Sequence, residues 1–126
     1  MRDKKELFLI VDDEPDMCWA LEHILKKNGF LSMKALSGQE ALRLVEQNRF
    51  KVALLDAKLP DLEGLELARR IREFDPSIYI VMISGYFYRD DVAIQHAVEE
   101  GLISGFIAKP FRHDEILEVM ETACSS

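Results

Sequence analysis

Cysteine is nearly absent from this 126-residue chain: Cys18 and Cys124 stand at opposite ends and fit no metal-ligand spacing. Two isolated thiols predict a reduced, cytoplasmic protein rather than a disulfide-stapled secreted one. Glycine is also sparse, and its six copies form neither G-x-G-x-x-G nor a P-loop string, so no phosphate-cradling loop is expected. His23, His96 and His113 are scattered without ligand spacing, and no serine or cysteine lies in a signature for nucleophilic catalysis. No apolar run approaches membrane-spanning length. The charged start, Met1-Arg2-Asp3-Lys4-Lys5, precedes only a short apolar stretch that runs into three acids, which is not the layout of a signal peptide. Lysine and arginine are outnumbered, 16 against 23 acids, giving a net charge of −7 and no basic stripe. Direct nucleic-acid binding is therefore not expected.

What is present is a chain 48% hydrophobic, of a length for one domain with a real core. Strand and helix patterns alternate five times, which predicts an α/β fold with a parallel sheet covered on both faces. Apolar runs predict strands at Leu7 to Val11, at Leu31 to Ala35, at Val52 to Asp56, at Tyr79 to Ser84 and at Gly105 to Ala108. A first helix starts near Pro15 and stops around Asn28-Gly29. Ser37-Gly38-Gln39-Glu40 fits a capping box for a second, running to Gln47. The third covers Leu65 to Phe74, the fourth Asp91 to Glu100 with Gly101 as its cap, and the last His113 to Ala123. No repeat, linker or low-complexity stretch interrupts the pattern.

Charged groups gather at the strand ends. Asp12-Asp13-Glu14 follows the first strand, Asp56 closes the third, Ser84-Gly85 ends the fourth and Lys109-Pro110 the fifth. Carboxyl ends of parallel strands are where open α/β sheets place ligands. Asp12 and Asp13 have an alternative reading as helix N-cap residues. Together with Asp56, however, they make three carboxylates that repel unless a divalent cation joins them, and hard oxygen donors suit Mg²⁺ better than zinc. Asp56, otherwise a solvated turn residue, is then read as a nucleophile for a phosphoryl group. Such a transfer requires positioning and neutralisation of the phosphoryl oxygens. The metal, the Lys109 ammonium and the Ser84 hydroxyl supply that neutralisation between them.

The strings Val11-Asp12-Asp13-Glu14-Pro15, Leu55-Asp56 with Leu59-Pro60 and Gly64, Ser84-Gly85 and Lys109-Pro110-Phe111 resemble the receiver domain of two-component response regulators, in order and over nearly the whole chain, from Leu7 to Ala123. The resemblance implies a flavodoxin-like doubly wound five-stranded sheet, order 2-1-3-4-5, with five helices and a single receiver domain without an effector domain. It implies that Asp56 takes phosphate from a sensor histidine kinase or phosphotransfer protein. Asp12, Asp13, Asp56 and the Lys58 carbonyl would hold Mg²⁺, and Lys109 would meet the phosphoryl group before a cis peptide at Pro110. Ser84 and Phe106 would be the switch that repacks the face of helix four, strand five and helix five for a downstream target, with homodimerisation left open. The domain would be a switch, not an enzyme acting on other substrates.

Four departures from the family pattern stand out. Ser84 occupies a place where threonine is commoner, Lys58 and Tyr86 occupy positions that tune phosphate lifetime, and the segment between Ser84 and Lys109 is longer than usual. The extra residues fall around Phe87-Tyr88-Arg89 and near Ile103-Ser104. Two other readings stay open. A Mg²⁺-dependent aspartyl-phosphate phosphohydrolase would use the same acids, but its usual second acid is replaced here by Lys58. A degenerate receiver would signal by contact alone. Trp19 falls opposite the apolar helix face of Met17, Ala20, Leu21, Ile24 and Leu25, either as an ordinary exposed aromatic or as a docking anchor.

Overall fold

A computed structural model describes residues 6–85 and 92–124. Five strands alternate with five helices: β1 (Leu7–Val11), α1 (Pro15–Lys27), β2 (Leu31–Ala35), α2 (Gly38–Gln47), β3 (Val52–Asp56), α3 (Gly64–Phe74), β4 (Tyr79–Ser84), α4 (Val92–Glu99), β5 (Gly105–Ala108) and α5 (His113–Cys124). All four strand pairings are parallel, in the order β2-β1-β3-β4-β5. The strand order reverses between β1 and β3, and an open sheet has its ligand crevice at such a reversal, outside the carboxyl ends.

The continuous apolar runs are explained by burial on both sheet faces. Successive side chains alternate, so Phe8 and Ile10 of β1 join Val52, Leu54, Val81, Ile83 and Ile107 under α1 and α5. Leu9 and Val11 join Ala53, Leu55, Ile80 and Met82 under α2, α3 and α4. On α1, Leu21, Ile24 and Leu25 are buried as expected, Met17 and Ala20 only partly, and the core also takes Cys18. Trp19 lies on the opposite face, 65% exposed.

Element ends differ from the sequence reading by about a residue, the usual uncertainty of helix termini. Helix α3 starts at Gly64 and α5 runs on to Cys124, while α4 spans Val92–Glu99; Asp91 lies outside the described residues. Gly29 follows the C-cap of α1 with φ 85°, and Gly101 follows α4 with φ 80°, backbone that glycine adopts without penalty. The expected capping box at α2 forms in altered shape. Ser37 Oγ accepts from the Glu40 N–H at 3.2 Å, but the Glu40 carboxylate reaches the Leu36 N–H at 2.9 Å instead of returning to Ser37.

At the amino ends of the strands, Arg72 of α3 binds four acceptors. Its guanidinium donates to the carbonyls of Leu102 (3.0 Å), Pro76 (2.9 Å) and Ile78 and to Ser104 Oγ (3.4 Å). Ser104 in turn donates its N–H to the Ile80 carbonyl at 2.6 Å, and its Oγ accepts the Ile80 N–H at 3.2 Å. The stretch at Ile103-Ser104 is thereby pinned to the start of β4, with Ile103 buried.

Candidate functional site

The β1/β3 crevice brings the acids together. Asp12 follows β1 and its N–H donates to the Ala35 carbonyl at 3.1 Å, while Asp56 ends β3 beside Ile83 of β4. One carboxylate oxygen from each of Asp12, Asp13 and Asp56 lies within 4.8 Å of the others. Asp12 is buried, Asp56 half-buried and Asp13 exposed, so the cluster opens to solvent on one side. The alternative role of Asp12 and Asp13 as helix caps is not what the fold uses. Glu14 is the N-cap of α1 and makes no side-chain cap, although Asp12 Oδ1 accepts the Glu14 N–H at 2.9 Å.

Lys109 answers part of this charge. Its Nζ lies 3.1 Å from Asp12 Oδ2 and 3.8 Å from Asp56 Oδ1. Its own N–H donates to the Ser84 carbonyl at 2.7 Å, which fixes the end of β5 against the end of β4, and the Lys109-Pro110 bond is cis. Burial alone would push the Lys109 ammonium down. The hydrogen bond to Asp12 and the charges of Asp12, Asp56 and Glu14 outweigh burial and raise it. Asp56 is raised above the ordinary carboxylate value. Burial is the largest cause and Asp12 the next, only partly offset by Lys109 and by the Lys58 N–H that hydrogen bonds to the Asp56 carboxylate. The acids thus outweigh the lysine, and the donor set is hard oxygen of net negative charge, which fits a divalent cation such as Mg²⁺.

Ser84 is buried beside the crevice, and Phe106 of β5 is half-buried, packed on the α2, α3 and α4 side of the sheet. The fold therefore gathers every rim residue that the sequence singled out: Asp12, Asp13, Asp56, Lys58, Ser84 and Lys109. Tyr86 and the Phe87-Tyr88-Arg89 stretch lie outside the described residues.

Three residues escaped sequence reasoning. Cys18 donates its thiol to the Asp12 carbonyl at 3.3 Å, and burial, with the charge of Asp12 next, pushes it up to about 11, so it is an inert packing group beneath the acids. Arg72 is the second. Asp61 is the third: its two carboxylate oxygens accept the N–H groups of Gly38 (2.8 Å) and Gln39 (2.9 Å), at the start of α2. Asp61 and two of the four Arg72 bonds carry no local pattern, because those partners are 22 to 32 positions away.

A family model described as response regulator receiver domain matches residues 8–121. Sporulation initiation phosphotransferase F of Bacillus subtilis is 34% identical, covering 92% of this chain and 91% of that protein. Several other curated relatives are longer, and the chain spans between 25% and 46% of their length. Among solved structures, a CheY-like receiver domain protein from Methanospirillum hungatei superposes with a TM-score of 0.88 at 28% identity, over 97% of this chain and 96% of that one. The response regulator TrrA of Thermotoga maritima, solved in complex with Mg²⁺-BeF, gives 0.82 at 28% identity over 94% and 98%.

Proposed function

Since the chain belongs to the response regulator receiver family, we propose that it works as a phosphorylatable switch with Asp56 as the acceptor. The observation that carries this reading is the convergence of Asp12, Asp13, Asp56 and Lys109 in the crevice at the strand-order reversal. An Asp56 oxygen attacks the phosphorus of a sensor kinase's or phosphotransfer protein's phosphohistidine. An O–P bond forms as the N–P bond breaks, and the imidazole leaves with the electron pair. Lys109, held by Asp12 within reach of Asp56, stabilises charge on the phosphoryl oxygens, and the Ser84 hydroxyl serves the same group from the end of β4.

Asp12, Asp13, Asp56 and the Lys58 carbonyl would hold Mg²⁺. When bound, the ion would supply the positive charge that Lys109 alone does not. The TrrA complex with Mg²⁺-BeF supports this, since that relative binds the metal together with a phosphoryl mimic. The Ser84 and Phe106 pair then biases the α4–β5–α5 face toward a downstream target. Activity on external phosphoesters is disfavoured by Lys58 standing two residues after Asp56.

Intact mass after incubation with acetyl phosphate tests the proposal. The expected result is a gain of one phosphoryl group that requires Mg²⁺ and vanishes in Asp56→Ala. A gain that persists in Asp56→Ala would overturn the assignment. No gain, combined with no stable beryllofluoride complex, would leave a contact-only module.

A further inference from the structure

The turn between β3 and α3 is held from outside. Gly64 donates its N–H to the Ala57 carbonyl at 2.8 Å, Lys58 pairs with Glu63 in an antiparallel bridge, and the Leu59 N–H donates to the Leu62 carbonyl at 3.3 Å. This makes a small closed loop with Pro60 and Asp61 at its tip. Gly64 seats the loop's far end against the strand, since a Cβ there would lie 2.7 Å from the Asp56 carbonyl oxygen and 2.9 Å from Ala57 Cα.

At the tip, Asp61 reaches another element. Helix α2 begins at Gly38 after the N-cap Ser37, so its first three N–H groups have no partner within the helix. Ser37 Oγ takes the third, and Asp61 takes the first two with one oxygen each. A second contact backs this one. Gly38 faces Leu62, whose Cδ1 would stand 2.6 Å from any Cβ at that position, and Leu62 packs against the core under α2 and α3. The two amide bonds hold the Asp61 carboxyl below its ordinary value, with the Gly38 N–H the largest cause.

The other end of the same loop is in the acid crevice, where the Lys58 N–H hydrogen bonds to the Asp56 carboxylate. We propose that Asp61 is a positioning residue: by clamping the loop tip to α2 it fixes the Lys58 backbone and hence the divalent-cation site at Asp56. This rests on the metal site of the proposed function. Partners that orient ligands from outside a site typically alter metal affinity about 10–100-fold. Asp61 acts through the loop, so the lower end, about tenfold, is expected.

Calorimetric titration of Mg²⁺ into the full chain tests this, alongside thermal melting and amide exchange. Asp61→Ala binds Mg²⁺ about tenfold more weakly, and the Gly38 and Gln39 amides exchange faster. Asp61→Asn, keeping one acceptor oxygen, falls between. Gly38→Ala, which leaves every acid in place but pushes Leu62 away, weakens Mg²⁺ in the same direction. Arg72→Met, at the opposite end of the sheet, lowers Tm without changing Mg²⁺ affinity, separating positioning from stability. Affinity within twofold of wild type in both Asp61→Ala and Gly38→Ala would overturn the inference. A wild type that binds no Mg²⁺ would overturn the metal site itself, and the inference with it.

Discussion

The two ends of the sheet solve opposite electrostatic problems. At the amino ends of the strands one cation, Arg72, faces neutral acceptors, three backbone carbonyls and a hydroxyl, and holds the turns after α3 and α4 together. At the carboxyl ends, among the described residues, three carboxylates gather with the Lys109 ammonium in ion-pair reach of two of them, and Asp56 is raised by burial and by Asp12. One end is saturated and the other is short of positive charge. The imbalance at the carboxyl end is one that a bound divalent cation would relieve and that an added phosphoryl group, itself negative, would deepen without one.

The largest expected break in this contrast is at Lys109. Lys109→Ala removes the crevice's ammonium and slows Mg²⁺-dependent phosphorylation from acetyl phosphate by roughly 10²-fold, as the loss of one preorganised donor does. Mass spectrometry over time measures it, and a rate within a few-fold of wild type would deny Lys109 its role. Next comes Arg72→Met, which removes charge-assisted bonds to four acceptors. It costs about 2 kcal/mol in urea unfolding, with Mg²⁺ affinity unchanged. A Mg²⁺ concentration ten times the dissociation constant stabilises the wild type by about 1.4 kcal/mol, read as a rise in Tm. The same addition leaves Asp56→Asn with little gain.

The smallest effect concerns pH. The folded Asp56 carboxyl holds its proton more tightly than the unfolded chain, whose value is near 3.8. Below that value both states are protonated and the crevice incurs no penalty. As pH rises through 3.8 and then through the higher folded value, the folded state loses stability, and the loss persists at neutral pH. Asp56→Asn therefore raises Tm by a few degrees at neutral pH without metal, and the gain shrinks to nothing as pH falls below that window. A gain that grows toward acid would contradict the cause given for the shift.

Much of this architecture was legible in the residues. Parallel strands buried on both faces announce themselves as unbroken apolar runs, and Asp12, Asp13, Asp56, Ser84 and Lys109 each mark the end of one. The strand order of the sheet, by contrast, came from resemblance, since periodicity does not say which strands are neighbours. Asp61 and Arg72 were illegible for a different reason. The partners of Asp61 lie 22 and 23 positions away, and those by which Arg72 reaches the turn after α4 lie 30 and 32 away, and no local spacing encodes such a bond. Cys18 did carry a signal, since it stands at i, i+3 and i+7 with Leu21 and Leu25 on the face that Trp19 lies opposite.

Trp19 gives the molecule an optical handle. It is the chain's sole indole, it projects into water from α1, and it stacks on the His23 ring with centroids 5.3 Å apart. All tryptophan emission thus comes from one face of one helix. A partner that covers α1 dehydrates the indole and shifts its emission to the blue, whereas a partner seated on α4, β5 and α5 leaves the spectrum where it was. A single fluorescence titration, without any label, distinguishes a molecule that docks over Trp19 on α1 from one that leaves that helix uncovered.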